Sequence, residues 1–146
     1  MPKSLSDPRA RQELLDRLDR LTSGATPLWG TMTAPQMLAH LTDWMLMAKG
    51  ELKVGLKNRP QRYPPLKQLM IYWLPFPRGI PTSPELVGRR PLEWSIERAA
   101  VHKHVESFAN PRATWPEHPV FGKMTSRAWS VFAYRHMDHH LRQFGI

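Results

Sequence analysis

The sequence predicts an all-α protein, a four-helix bundle forming one domain over residues 1–146, with a long proline-rich crossover between its second and third helices. Three observations point there. Four stretches carry apolar residues at helical spacing, most of them open on a capping residue or a proline, and no segment alternates well enough to be a strand. With 146 residues, 41% of them hydrophobic, the chain can fill one core without disulfides or an oligomer.

The first helix is expected after Ser6 or Asp7, either of which can cap it, with Pro8 in the first helical position. Leu14, Leu18 and Leu21 follow at helical spacing, and Gly24 offers a stop. The second opens at Thr33-Ala-Pro-Gln36, a capping-box spacing with an early proline. It carries Met37, Leu41, Trp44 and Ala48 on one side and ends at Gly50.

Residues 55 to about 90 hold prolines at 60, 64, 65, 75, 77, 81 and 84, each of which restricts itself and its predecessor against helix. Within this crossover residues 66–74 are apolar enough for a short helix that covers one end of the bundle, or for a core-covering loop. The third long helix begins after Pro91, repeats Trp94, Val101, Val105 and Phe108, and stops before Asn110-Pro111. The fourth follows Phe121-Gly122 and reaches Gln143, and two short links complete the bundle.

Composition limits the chemistry. There is no cysteine, which excludes disulfides, thiolate ligation and protein-thiol catalysis, so any metal must use nitrogen or oxygen ligands. Lys and Arg outnumber Asp and Glu by 21 to 12, a charge of +9 that suits anionic small molecules, nucleic acid or an acidic surface. The cations are shared among segments (Arg9, Arg11, Arg17, Arg20, Lys49, Lys53, Lys57, Arg62, Lys67, Arg89 and Arg90), and no nucleic-acid motif accompanies them. A solvated basic exterior is therefore expected, with nucleic acid disfavoured as a partner. No window approaches the roughly 20 apolar residues of a bilayer span and no signal-like run opens the chain, so the expectation is a cytoplasmic protein with no membrane partner.

The histidines carry the chemical signal. On the last helix Thr125, Trp129, Phe132, Ala133, His136, His140 and Gln143 fall in one narrow stripe at about 100° per residue. A histidine pair at i and i+4 can share one ion, and His40 can supply a third nitrogen from a facing helix. The alternative is buried histidines hydrogen-bonded to neighbours, and spacing alone leaves both open. Trp29-Gly-Thr-Met-Thr33 and Phe121-Gly-Lys-Met-Thr125 precede the second and fourth helices alike, so with Thr33 and Thr125 as N-caps His40 and His136 fall on nearly the same helix face.

Gln143, one turn beyond His140, can bond the second ring nitrogen or a metal-bound water, or serve as an ordinary helix-end residue. His139, at the stripe's edge, is expected to support a ligand or face solvent. His102 and His104, about 200° apart, cannot share an ion and are expected on the surface. His118 is expected to anchor a turn, and Trp44, Trp129 and Met37 to form core and pocket wall.

These stretches carry a resemblance. His136-Met-Asp-His-His-Leu-Arg-Gln-Phe-Gly145 resembles the closing helix of an uncharacterised branch of the DinB/YfiT-like family. Trp29-Gly-Thr-Met-Thr-Ala-Pro-Gln-Met-Leu-Ala-His40 is similar to that family's second helix, and Pro75-Phe-Pro-Arg-Gly with Pro81-Thr-Ser-Pro-Glu85 to this branch's crossover. The likeness runs from about residue 25 to the end. It implies an up-down-down-up order and a divalent metal, nickel or zinc, held near one end by His40, His136 and His140. Family members of known activity are thiol-dependent transferases or isomerases, so a small-molecule substrate is the expected partner, and dimers are frequent in similar proteins.

Three histidines leave a coordination position open, as catalytic sites do. An ion there can lower the pKa of a low-molecular-weight thiol, supplying the sulfur this chain lacks, and the frequent negative charge of such thiols suits +9. It can equally lower the pKa of water for hydrolysis, with Asp43 and Asp138 the nearest carboxylates in sequence. A third possibility is a metal-stabilised bundle, not an enzyme, whose basic face binds an anionic partner.

Overall fold

The computed structural model describes residues 1–79, 82–110 and 114–146. Within them the chain is all-helical: α1 (Pro8–Arg20), α2 (Ala34–Ala48), a short α3 (Leu66–Tyr72), α4 (Trp94–Glu106) and α5 (Ser126–Gln143). Two 3-10 turns, Pro60–Arg62 and Pro84–Leu86, interrupt the crossover, and the described residues hold no strand beyond an isolated bridge between His118 and Gly122. Pro81 and Pro111, expected helix breakers, lie outside the described residues. Among the described residues no helix is long and apolar enough to cross a membrane.

Capping chemistry sets the helix starts. Asp7 accepts from the Arg9 amide, and Pro8 fills a position whose N–H would have no partner. Thr33 forms a full capping box, its hydroxyl accepting from Gln36 N while the Gln36 side chain accepts from Thr33 N. Thr125 accepts from Ala128 N in the same way. The repeated sequence before α2 and α5 is thus a repeated structure: both threonines are extended caps, and Gly30 and Gly122 both adopt positive φ, 75° and 67°.

Two boundaries differ from expectation. α1 ends at Arg20 and not at Gly24: Leu21 turns to extended backbone while its side chain stays in the core at 3% exposure, and Gly24 sits in an exposed turn. A core contact outranks the glycine. The link from α4 to α5 covers residues 107–125 and is not short; its later part folds back through the His118–Gly122 bridge.

α2 is the central element, packed on α4, α5 and the Pro84–Leu86 turn and buried on nearly every side. Leu14 and Leu18 of α1, Met37, Leu41 and Trp44 of α2, Val101 and Val105 of α4, and Trp129 and Phe132 of α5 share one apolar cluster. Each such side chain contributes roughly 1.5–3 kcal/mol by leaving water. α3 inserts Ile71 into this cluster and is tied to α5 by Arg135, which donates to the carbonyls of Met70, Ile71 and Leu74. The apolar half of residues 66–74 therefore forms a helix because a partner waits for it on α5.

Candidate metal centre

α2 brings His40, and α5 brings His136 and His140, into one buried cluster, with exposures of 3%, 8% and 9%. His136 Nε2 lies 3.2 Å from His40 Nε2 and 3.1 Å from His140 Nε2, and the three ligand nitrogens all fall within 4.8 Å of one another. Imidazole nitrogens about 2.0–2.1 Å from one ion stand roughly 2.8–3.4 Å apart for right-angle to tetrahedral geometry. The two short separations fit that range. Trp44, 4.8 Å from the His136 ring, and Phe76, 6.0 Å from it, close the surroundings to water.

The outer hydrogen bonds decide where the protons sit. His40 Nδ1 meets the Leu86 carbonyl at 2.9 Å, and a carbonyl only accepts, so Nδ1 carries the proton and Nε2 presents a lone pair. His140 Nδ1 meets Gln143 Oε1 at 2.9 Å. That amide is oriented from its other end, where its NH2 donates to the Trp29 carbonyl at 3.0 Å. His140 Nε2 is therefore a second lone pair aimed inward. One proton on His136 Nε2 can satisfy one of these neighbours and not both, whereas a cation accepts all three. His136 Nδ1, on the far side of its ring, has no hydrogen-bond partner among the described residues.

Electrostatics keep the cluster in the ligating form. Burial pushes His136 well below the ordinary imidazole pKa, and the neighbouring imidazoles push it further. Burial and then His40 lower His140 to about 3, with Gln143 opposing. Burial also lowers His40, against the Leu86 carbonyl and the Asp43 charge. All three are neutral at pH 7 and can hold a metal ion.

The other histidines and acids have other partners. His139 is half-buried against Trp29 and Phe76, at ring distances of 5.6 and 5.4 Å. His102 and His104 are not plain surface residues: both are half-buried, His102 donating to Asp19 and His104 accepting from Lys49, each at 2.7 Å. His118 anchors its turn, its Nδ1 accepting from Val120 N and Phe121 N. Asp138 pairs with Arg17 and Arg142 on the opposite side of α5, beside a cavity of about 570 Å³ that also takes in Tyr72 and Trp73. That cavity does not reach the histidines.

Sequence reasoning missed the crossover's part. Leu86 supplies the carbonyl on His40, and Arg89, expected in the solvated exterior, joins Asp43 of α2 to Glu97 of α4. Asp43 is itself turned inward, at 6% exposure. Burial favours a neutral Glu97, but the Arg89 guanidinium and the Leu92 amide outweigh it and hold its pKa below the usual value. No local signal announced these contacts, because Arg89 and Asp43 are 46 positions apart.

The fold and site define an all-helical protein with three buried histidines that could hold a metal ion. Within that class the chain belongs to the family described as Protein of unknown function (DUF1569), which matches residues 73–145. The matched stretch includes Leu86, Arg89, Glu97, His136, His140 and Gln143, while His40 and Asp43 lie before it. No curated protein and no solved structure matches the chain.

Proposed function

We propose that this protein is a DinB/YfiT-like four-helix bundle that binds one divalent ion, nickel or zinc, through His40, His136 and His140, and uses it to transfer an anionic low-molecular-weight thiol to a small-molecule substrate, the new carbon–sulfur bond replacing the bond to a leaving group that departs with the thiol proton. The observation that carries the metal reading is the convergence of three Nε2 atoms, two with their lone pairs fixed inward by Leu86 and Gln143. When bound, such an ion supplies Lewis acidity at an open position, where it lowers the pKa of a thiol.

The chain's own groups do the rest. Leu86 and Gln143 hold two ligand tautomers, and Trp44, Phe76 and Phe132 exclude water. Trp29 and His139 lie beside the cluster, with the exposed Arg78 guanidinium 4.0 Å over the Trp29 ring. Arg78 makes no hydrogen bond or ion pair among the described residues, so its charge is available to an anionic group. That charge and the absence of cysteine support an anionic thiol as the sulfur source.

Elemental analysis of protein purified without a metal-affinity tag tests the first part. Near-stoichiometric metal in the wild type, lost in a His40→Ala, His140→Ala double variant, is expected; no metal in either, even after adding nickel or zinc, overturns the site. For the second part, mercaptosuccinate added to cobalt-loaded protein should produce a sulfur-to-cobalt charge-transfer band. Its absence removes the thiol from the proposal and leaves the metal.

A further inference from the structure

The crossover returns to α2 through a tight fold. After the Pro84–Leu86 turn comes Gly88, where an added Cβ would lie 3.1 Å from the Pro84 carbonyl oxygen. The chain doubles back closely enough that a side chain at this position would crowd it. This brings Arg89 between two helices. Its Nε donates to Asp43 Oδ1 and Oδ2 at 3.1 and 3.4 Å, and its two terminal nitrogens donate to the two Glu97 carboxylate oxygens. Nη2 also approaches the Ala39 carbonyl at 3.4 Å, and the Leu92 amide donates to Glu97 Oε1 at 2.9 Å.

Two carboxylates held by one guanidinium, with Asp43 at 6% and Glu97 at 1% exposure, make a costly way to pack three segments. Apolar side chains of the same volume often stabilise a fold as well as such a buried ionic group does. What the ionic arrangement adds is geometry, because the planar guanidinium fork fixes angle as well as distance. Leu86 and Arg89, three residues apart, meet α2 at His40 and at Asp43, which are also three apart. The two attachments run in register along α2.

We propose that Arg89, gripped by Asp43 and Glu97, is the positioning residue for His40: it holds the Leu86 carbonyl on Nδ1 and so keeps the Nε2 lone pair directed at His136 and His140. The consequence for ion affinity rests on the three-histidine reading above. The consequence for the His40 tautomer does not, since it holds with or without an ion.

The test uses the full chain, metal-free at pH 8, with 15N-labelled histidine, and reads each imidazole tautomer by long-range proton–nitrogen correlation. In the wild type His40 and His140 should both be protonated at Nδ1; His40 protonated at Nε2 instead would overturn the proposal before any variant is made. Arg89→Lys keeps the charge but cannot span both carboxylates, and Glu97→Gln keeps the shape but weakens the fork. In whichever of them retains the wild-type circular dichroism, His40 should move toward Nε2–H while His140, held by Gln143, stays unchanged.

Zinc affinity, measured by chelator competition, should fall about 10- to 100-fold in the same variants. A folded variant with lower thermal stability but unchanged His40 tautomer and zinc affinity would make Arg89 merely structural. A wild type that takes up no zinc would defeat the metal reading and leave the tautomer result standing, so the two failures are distinguishable.

Discussion

His40 Nε2 and His136 Nε2 stand 3.2 Å apart although 96 positions of chain separate them. Two neutral rings at that distance need one proton between them, and His140 makes the same demand of His136 from the other side at 3.1 Å. His136 is therefore the shared member of the cluster, and its removal has the largest expected effect.

His136→Ala should abolish stoichiometric metal binding while the helical fold persists. The ring it removes packs on Trp44 and Phe132, which argues for a loss of about 1–3 kcal/mol. That ring also carries a buried nitrogen with no hydrogen-bond partner among the described residues, which keeps the loss toward the lower end. Elemental analysis and denaturant unfolding of the same sample check both. Full occupancy in the variant would sink the ligand assignment.

Gly30 and Gln143 are coupled. A Cβ on Gly30 would lie 3.0 Å from Gln143 Nε2, and the backbone there has a φ of 75° that an L side chain resists. Gly30→Ala should push the amide off the Trp29 carbonyl and off His140, and Gln143→Leu should leave His140 Nδ1 without its acceptor. Both are expected to weaken zinc binding by about 10- to 100-fold in a chelator competition. Gly30→Ala should in addition cost about 1–2 kcal/mol of stability from backbone strain.

What the sequence made legible was local. Asp7-Pro8, Thr33 with Gln36, and Thr125 mark helix starts because a cap acts within one turn, and all three behave as the pattern predicts. The four-residue spacing of His136 and His140 places both on one face for the same reason. The contributions of the crossover were not legible. A backbone carbonyl such as that of Leu86 has no side-chain signature, and Arg89 finds Asp43 across 46 positions, so it read as one more surface cation. Gly24 misled because Leu21 stays in the core after leaving the helix.

Acid should unfold the protein through buried histidines. His118, at 6% exposure, is lowered by burial, and then by the Lys67 charge, to about 3. The unfolded chain titrates near 6.5, so between these values it binds more protons than the native state and stability falls as pH falls through that window. His118→Asn can keep an acceptor for the Val120 and Phe121 amides but does not titrate there. Less stable than wild type at pH 7.5 by about 1–3 kcal/mol from lost ring packing, it should close that gap by pH 4.5. Urea unfolding at the two pH values measures this, and a constant gap would rule His118 out as an acid trigger.

Ion loading should appear as thermal stability. Zinc free at 100 times its dissociation constant adds about 2.7 kcal/mol if it binds only the folded chain, and a domain of this size gains about 2–4 °C per kcal/mol. A rise of roughly 5–10 °C, reversed by chelation and absent in His136→Ala, is expected from scanning calorimetry with and without zinc.

The contacts that seat residues 84–92 on α2 and α4 also ready His40 to donate a lone pair. Thermodynamic reciprocity then gives the crossover and an ion held by the histidines a common fate: each favours the other by the same factor. A molecule that pried this segment from α2 would discharge the ion without competing for it, and one that pinned the segment down would lengthen its residence. Loading would then be governed from the backbone of a connecting segment at some remove from the histidine rings.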